Sequence, residues 1–344
     1  MDELAALIVN LIKDYRNDDG IFIDKDHVMR WANQFDENDR QFILEELYHI
    51  LPKSYISKEL VVGEFEQIFK YLAEYNKYDD IKSFLNDSRF LSCQSEEKSQ
   101  TKLLEFLTEI CMKQFGFSIN TSNSENIKFW IYVDDVLASG GTFKRDIKKE
   151  VLAYGTDKFQ DQGIKLIPIF FFLHTWGYKI VKYGLSMDFG GVFTSLTFHR
   201  VHEIENDPRI NYYNNNPKFN HVYPIKPDDC DHWEIYLQSL EAEKHETYAY
   251  RDNERPGKEE FYSSPENRNR YEQIILNKGI EILSRAENLS PSTRPLGFGY
   301  PSYKTFGTGS HAFTWRNISN TCPIIYWWEN HNWIPLFSVA NRGR

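Results

Sequence analysis

The segment that most constrains the fold is FWIYVDDVLASGGT at residues 129–142. A strand-sized apolar run ends at Asp134 and Asp135, and a turn of small residues follows in which Gly140 and Gly141 are adjacent. The next stretch, FKRDIKKEV, has its apolar residues at helical spacing. A strand apolar on both faces, a tight turn and an amphipathic helix are the parts of a parallel sheet covered by helices. The segment therefore predicts an α/β fold.

The same alternation extends along the middle of the chain. RFLSC and KLIPIFFFL predict two more strands, and SQTKLLEFLTEICMKQF predicts a helix. Earlier stretches are amphipathic and helical, with Asp24 as a predicted N-cap for DKDHVMRWANQF. We therefore predict a helical N-terminal extension at 1–87, a parallel-sheet core at 88–202, and a loop-rich, aromatic C-terminal subdomain at 203–344 that packs on the core.

Composition and charge limit the binding partners and the cellular compartment that we expect for this chain. Its net charge of -10 opposes a general role in coating nucleic acid or an anionic membrane. The longest apolar run, Leu166–Leu173, is far shorter than the roughly 20 residues of a spanning helix. The four cysteines are scattered without metal-ligand spacing, and no signal peptide is visible. We expect a reduced, cytoplasmic protein with no membrane insertion and no general nucleic-acid binding.

The carboxylates and the turn after them suit one kind of ligand. Asp134 and Asp135 offer acceptors to a cis-diol, in which both hydroxyls are donors. Successive N–H groups in a glycine turn, followed by a helix N-terminus, form a site for an anion. The small-residue turn consists of Ala138, Ser139, Gly140, Gly141 and Thr142. A diol-binding group beside a phosphate site predicts a ribose 5-phosphate ligand.

The segment resembles the phosphoribosyl-pyrophosphate signature of type I phosphoribosyltransferases, in which apolar residues, two acidic residues and a Thr/Ser-Gly-Gly-Thr turn follow one another. The resemblance implies a phosphoribosyltransferase-like core. It implies that Asp134 and Asp135 are catalytic residues that hold the ribose hydroxyls, and that the small-residue turn binds the 5-phosphate. It also implies a Mg²⁺ ion on the pyrophosphate, with the same two carboxylates as its candidate protein ligands.

A wider resemblance covers most of the chain. MRWANQF, FLSCQSEEKSQTKLL and the tail PLGFGYPSYKTFGTG resemble divergent phosphoribosyltransferase-like proteins of bacterial conflict systems. This implies an effector of anti-phage defence that makes or breaks an N-glycosidic bond and works with protein partners. The exit of the first strand, residues 94–100, lacks glycine, and Ala138 stands where related enzymes often have an acid. These departures keep open a non-catalytic alternative, a nucleotide-sensing or scaffold module of a defence complex.

Other interpretations of the same residues remain. The two aspartates can belong to an ordinary strand-to-helix turn, and YVDD is also the metal-binding tetrad of reverse transcriptases, where a second strand runs directly back. His174, after the apolar run, is a candidate for the edge of the site. In the tail, Gly307–Ser310 can form a second anion site or a tight turn. The tail tryptophans can stack on a base or fill a core.

Overall fold

The protein is represented by a computed structural model that describes residues 1–95, 99–119, 127–193, 196–210, 216–241, 248–287, 289–329 and 333–339. Contacts divide the chain into two compact units. The first unit comprises Met1–Ser57 with Ile204–Arg344, and the second comprises Lys58–Glu203. Compactness alone does not test whether the three predicted segments are domains, so that division stays a prediction.

The elements follow one another as a helical start, an alternating middle and a loop-rich end. The start contains α1 (Asp2–Ile12), α2 (Lys25–Ala32), α3 (Glu37–Ser54) and β1 (Tyr55–Ile56). The middle contains α4 (Lys58–Tyr75), α5 (Ile81–Asn86), β2 (Ser88–Phe90), α6 (Ser99–Phe115), β3 (Phe129–Leu137), α7 (Gly141–Tyr154), α8 (Thr156–Asp161), β4 (Lys165–His174), α9 (Thr175–Phe189) and β5 (His199–Ile204). The end contains α10 (Asp231–Ser239), α11 (Pro265–Ser284), β6 (Thr293–Arg294), β7 (Gly297–Phe298) and β8 (Phe313–Thr314).

The middle elements build a four-stranded sheet in the order β2-β3-β4-β5. β3 pairs in parallel with β2 and β4, with Ile131 opposite Ile167 and Leu137 opposite Leu173. The predicted α/β fold with a parallel sheet is therefore confirmed. β3 leads into a helix and its sequence successor β4 runs parallel to it, so the reverse-transcriptase hairpin is wrong.

The second unit buries both faces of its central strands. On one face the ring of Tyr132 lies 4.8 Å from that of Phe143 on α7, and Phe143 lies 5.6 Å from Phe170 on β4. On the other face Phe171 contacts Phe65 of α4 with ring centroids 5.8 Å apart. This two-sided burial explains why the strands have no polar face until the carboxylates of β3.

The aromatic tail fills the core of the first unit. The ring of Trp31 on α2 stacks on Tyr326 at 5.7 Å. The indole N–H groups of Trp31 and Trp333 both donate to the carbonyl of Ile325, at 3.1 and 2.9 Å. Trp315, Trp327 and Trp333 are buried. These contacts favour the core interpretation of the tail tryptophans over base stacking. The predicted N-cap of α2 is confirmed, because the Asp24 carboxylate accepts from the His27 N–H at 2.7 Å.

The tail glycines shape turns. In Gly307–Ser310, the N–H groups of the last three residues donate to the carbonyls of Phe298, Leu296 and Thr321 at 2.7–3.0 Å. Gly309 has φ +67°, and a Cβ there would lie 2.2 Å from the Val222 carbonyl oxygen. Those three N–H groups are therefore engaged, and the second anion site is wrong for this segment.

A buried ion-pair network fixes α11 in the first unit. The Arg268 guanidinium lies 3.0 Å from Glu259 and 3.0 Å from Glu272, and all three side chains are almost completely buried. Glu272 also accepts from Arg251 at 3.0 Å and from the Tyr223 N–H at 2.9 Å. Every charge in the cluster thus has an opposite charge beside it, which is the condition for burying charges.

We predict that Arg268→Leu lowers the free energy of unfolding by about 3 kcal/mol, because it leaves the buried Glu259 without its cation. Chemical denaturation with circular dichroism measures the change. Arg285→Leu at the end of the same helix is the control, since the Arg285 side chain is exposed in its pair with Glu281, and we expect a change below about 0.5 kcal/mol. Equal effects of the two substitutions would contradict the role given to the network.

Candidate functional site

The paired carboxylates lie within β3 and not at its end. Pairing with β4 continues past them, with Val136 opposite Phe172 and Leu137 opposite Leu173. The sequence prediction that the strand ends at the aspartates is therefore wrong. The backbone pairing extends until the small-residue turn begins at Ala138.

The two carboxylates have different surroundings because successive strand residues point to opposite faces of the sheet. Asp134 is half-buried, and its Oδ2 accepts from Gln94 Nε2 at 3.1 Å. Asp135 is 8% exposed, and its Oδ2 accepts from the Ser99 hydroxyl. Ser99 is the first residue of α6.

Gln94 and Ser99 are site residues that the sequence analysis did not identify. Both lie in residues 94–100, the exit of β2, where the sequence analysis noted the lack of glycine but assigned no side chain to the site. In a parallel sheet the exits of neighbouring strands meet at one edge, and this rule indicates the segment but not which of its side chains face the next strand. Gln100 secures the exit, because its side chain accepts from the Cys93 N–H at 3.0 Å and donates to the Val133 carbonyl at 3.3 Å.

The small-residue turn packs closely against α9. A Cβ at Gly177 would lie 1.7 Å from the Ala138 carbonyl oxygen, and a Cβ at Gly140 would lie 1.9 Å from Val181 Cγ2. Gly140 also has φ +75°, in the left-handed region that favours glycine. Packing and backbone conformation together therefore account for Gly140 without any ligand.

Neither packing nor backbone conformation explains why residue 141 is a glycine. A Cβ there would meet Ser139 Oγ at 3.6 Å, an ordinary contact, and its backbone does not require glycine. It is exposed and begins α7, where glycine is less favourable than alanine by up to about 1 kcal/mol. The N-cap of α7, Gly140, provides no side-chain cap. The Gly141 N–H donates to Ser139 Oγ at 3.4 Å, and the helix presents its positively polarised N-terminus beside the turn, as an anion site requires. Thr142 is exposed next to it.

Three buried polar side chains lie near the strand ends and the turn: His174, Asp146 and Tyr132. His174 ends β4 one residue after Leu173, which pairs with Leu137, and it is fully buried. Neither ring nitrogen of His174 has a hydrogen-bond partner among the described residues, and burial lowers its pKa to about 3. His174 is therefore neutral at pH 7.

Burial raises the pKa of Asp146 on α7, an effect that its hydrogen bond from Tyr132 opposes.

The carboxylates fit a shared cation better than an all-protein metal cage. Among the described residues no group of three or more His, Cys, Asp or Glu side chains converges as a metal site. Asp134 and Asp135 are hard oxygen donors that point to opposite faces of the sheet, and Mg²⁺ is commonly held by one or two carboxylates together with substrate phosphates. The donor set therefore fits Mg²⁺ only if phosphate oxygens complete the coordination.

A parallel sheet, a carboxylate pair and a small-residue turn that opens a helix define a phosphoribosyltransferase-like core. The family model PRTase-CE matches residues 28–339. The chain therefore belongs to the PRTase-CE family, which is phosphoribosyltransferase-like. Neither a curated protein nor a solved structure matches the chain. No described helix is both long and apolar enough to cross a membrane.

We predict that Gly177→Ala lowers the free energy of unfolding by about 1–3 kcal/mol, because the added Cβ collides with the Ala138 carbonyl. Gly184→Ala in the same helix is the matched control. Its Cβ meets only the flexible end of Lys144, so the better helix propensity of alanine leaves stability unchanged or higher. Thermal and urea unfolding measure both variants. A destabilisation no larger at Gly177 than at Gly184 would show that α9 does not constrain the turn.

Proposed function

We propose that this chain binds phosphoribosyl pyrophosphate or a nucleotide at the end of β3 and acts as an effector in bacterial anti-phage defence that makes or breaks an N-glycosidic bond. Gly141 is the observation that carries the proposal. Its missing side chain has no role in packing or backbone geometry, and it begins a helix whose N-cap residue, Gly140, provides no side-chain cap. Close approach of a phosphate to that backbone gives the glycine a purpose.

The position of the carboxylates supports a sugar phosphate as the ligand. Asp135 and Ala138 are three residues apart on one continuous strand and turn, so carboxylate and phosphate site are separated by less than about 11 Å of chain. A ribose 5-phosphate has its diol and its phosphate at opposite sides of one small ring. In this arrangement Asp134 accepts from the ribose hydroxyls, Asp135 on the opposite face of β3 is held by Ser99, and Ser139, Gly140, Gly141 and Thr142 surround the 5-phosphate.

The chemistry assigned to these residues is electrostatic. Cleavage at the anomeric carbon gives an oxocarbenium-like sugar, and carboxylates held close to that sugar stabilise its positive charge. Mg²⁺, when bound with pyrophosphate, supplies neutralising charge to the leaving group. Ala138 has no proton-transferring group, so a base for the incoming or leaving nucleobase has to come from elsewhere.

A non-catalytic nucleotide-sensing or scaffold module is the alternative. It is favoured by the way the exit of β2 contacts the site, because Gln94 and Ser99 donate to the two carboxylates where family enzymes have a glycine-containing or basic pyrophosphate loop. Such a module keeps the ribose-phosphate site and either senses a nucleotide there or serves as a scaffold that assembles with partner proteins.

We predict that the chain binds phosphoribosyl pyrophosphate in the presence of Mg²⁺, and that Asp134→Asn/Asp135→Asn weakens binding about 100-fold. The loss of two charge-assisted hydrogen bonds to the ribose hydroxyls sets that magnitude. Isothermal titration calorimetry measures the dissociation constants. Asp161→Asn is the control, since Asp161 is an exposed aspartate of the same unit at the end of α8.

Equal affinity of the wild type and the double variant, with both folded, would remove the carboxylates from the site. Absence of binding to either would contradict the ligand assignment itself.

The transferase and scaffold hypotheses can be distinguished in cells that carry the chain in its own defence locus. For a transferase, we expect Asp134→Asn/Asp135→Asn to restore phage plaques, because turnover stops. For a scaffold that assembles without ligand, protection persists when the variant is expressed at the wild-type level. Plaque counts with an immunoblot for expression make this comparison.

A further inference from the structure

The carboxylate of Asp134 is held through both oxygens by the protein. Its Oδ1 accepts from the N–H of Asp135 at 2.9 Å. Its Oδ2 accepts from Gln94 Nε2 at 3.1 Å and lies 3.5 Å from the hydroxyl of Tyr132. A carboxylate on an unconstrained side chain rotates about two bonds, so these contacts select one orientation.

The hydroxyl of Tyr132 connects this carboxylate to a second one. It lies 3.2 Å from Asp146 Oδ2 and 3.3 Å from Gln94 Nε2. A phenol has one proton to donate, and Asp146 is the nearer of the two carboxylate acceptors. The Tyr132 oxygen in turn accepts from the amide of Gln94. The Gln94 amide has two N–H donors, one for the Tyr132 oxygen and one for Asp134. The amide nitrogen therefore faces the carboxylate, because only the nitrogen can donate.

Each member of this chain of hydrogen bonds is fixed by a different element. Tyr132 is fully buried on β3 and packs edge-on against Phe143 at 4.8 Å. Asp146 lies on α7, almost buried, and Gln94 lies on the exit of β2. Three elements thus converge on the orientation of one half-buried carboxylate. A strand-to-helix turn whose aspartates merely face solvent has no need of such a set.

We propose that Gln94 and Tyr132 are positioning residues that orient Asp134 toward the cis-diol of a ribose 5-phosphate, with Asp146 anchoring the Tyr132 hydroxyl. This inference rests on the proposed function, since it assigns Asp134 to the sugar hydroxyls. It goes further in naming residues other than the paired aspartates and the small-residue turn that determine selectivity for ribose over 2-deoxyribose. A carboxylate held in one orientation distinguishes a diol from a single hydroxyl, whereas a rotating one adapts to either.

The test compares ribose 5-phosphate with 2-deoxyribose 5-phosphate by calorimetry, because the two ligands share the phosphate and differ by one hydroxyl. We expect the wild-type chain to prefer the ribose compound about tenfold. Tyr132→Phe keeps the ring in the core and removes the hydroxyl. We expect it to reduce the preference to about twofold through weaker binding of the ribose compound, with affinity for the deoxy compound unchanged.

Gln94→Ala provides a second variant that does not depend on the core, since Gln94 is only half-buried. We expect it to reduce the preference to a similar extent. Tyr154→Phe is the matched control, because that hydroxyl donates to the Gln162 amide oxygen and not to a carboxylate. The control is expected to keep the tenfold preference.

The outcomes separate the inference from the proposed function. If the wild type prefers ribose and both variants keep that preference, the positioning role is overturned while the ligand site stands. Equal loss of affinity for both ligands would mean that the variants disturb the fold, and it would also overturn the role. A wild-type chain that binds neither compound would overturn the proposed function and this inference together.

Discussion

The contact on which the candidate site depends is the close approach of α9 to the small-residue turn. The backbone of Gly177 lies against the Ala138 carbonyl, and Gly140 lies against Val181, at distances that leave no room for a Cβ. Interiors are packed too densely to absorb such a collision without movement of one element. The turn between β3 and α7 is therefore shaped from outside by α9, which follows α7, α8 and β4 in the chain.

The parts of the fold that the sequence predicts well are those with a clear period. β3, β4, α6 and α7 lie where apolar runs and helical spacing indicate them, because local periodicity reports which faces are buried. α9 is a helix that the sequence analysis did not predict. It contains Gly177 and Gly184, residues that are unfavourable in helices, and at Gly177 the tertiary contact outweighs that propensity.

The candidate site was predictable to a similar extent. The signature segment identifies Asp134, Asp135 and the small-residue turn, since their chemistry is local in sequence. The partners of the carboxylates were not predictable from the same information. Gln94 and Ser99 reach them from the exit of a neighbouring strand, and single-sequence patterns do not indicate which side chains at such an exit turn toward the next strand. The extension of β3 to Leu137 was missed because two charged residues interrupt the apolar run.

The contact between Gly177 of α9 and the turn limits how this segment can be recombined or engineered. Ala138 and Gly177 are far apart in sequence, yet neither the turn nor the helix keeps its geometry if the other acquires bulk. Transplanting the signature segment alone onto another α/β scaffold would transfer the residues without their shape. The segment that has to be transferred as a whole runs from β3 through α9. A recombination event between α7 and α9 would separate the turn from the helix surface that it packs against.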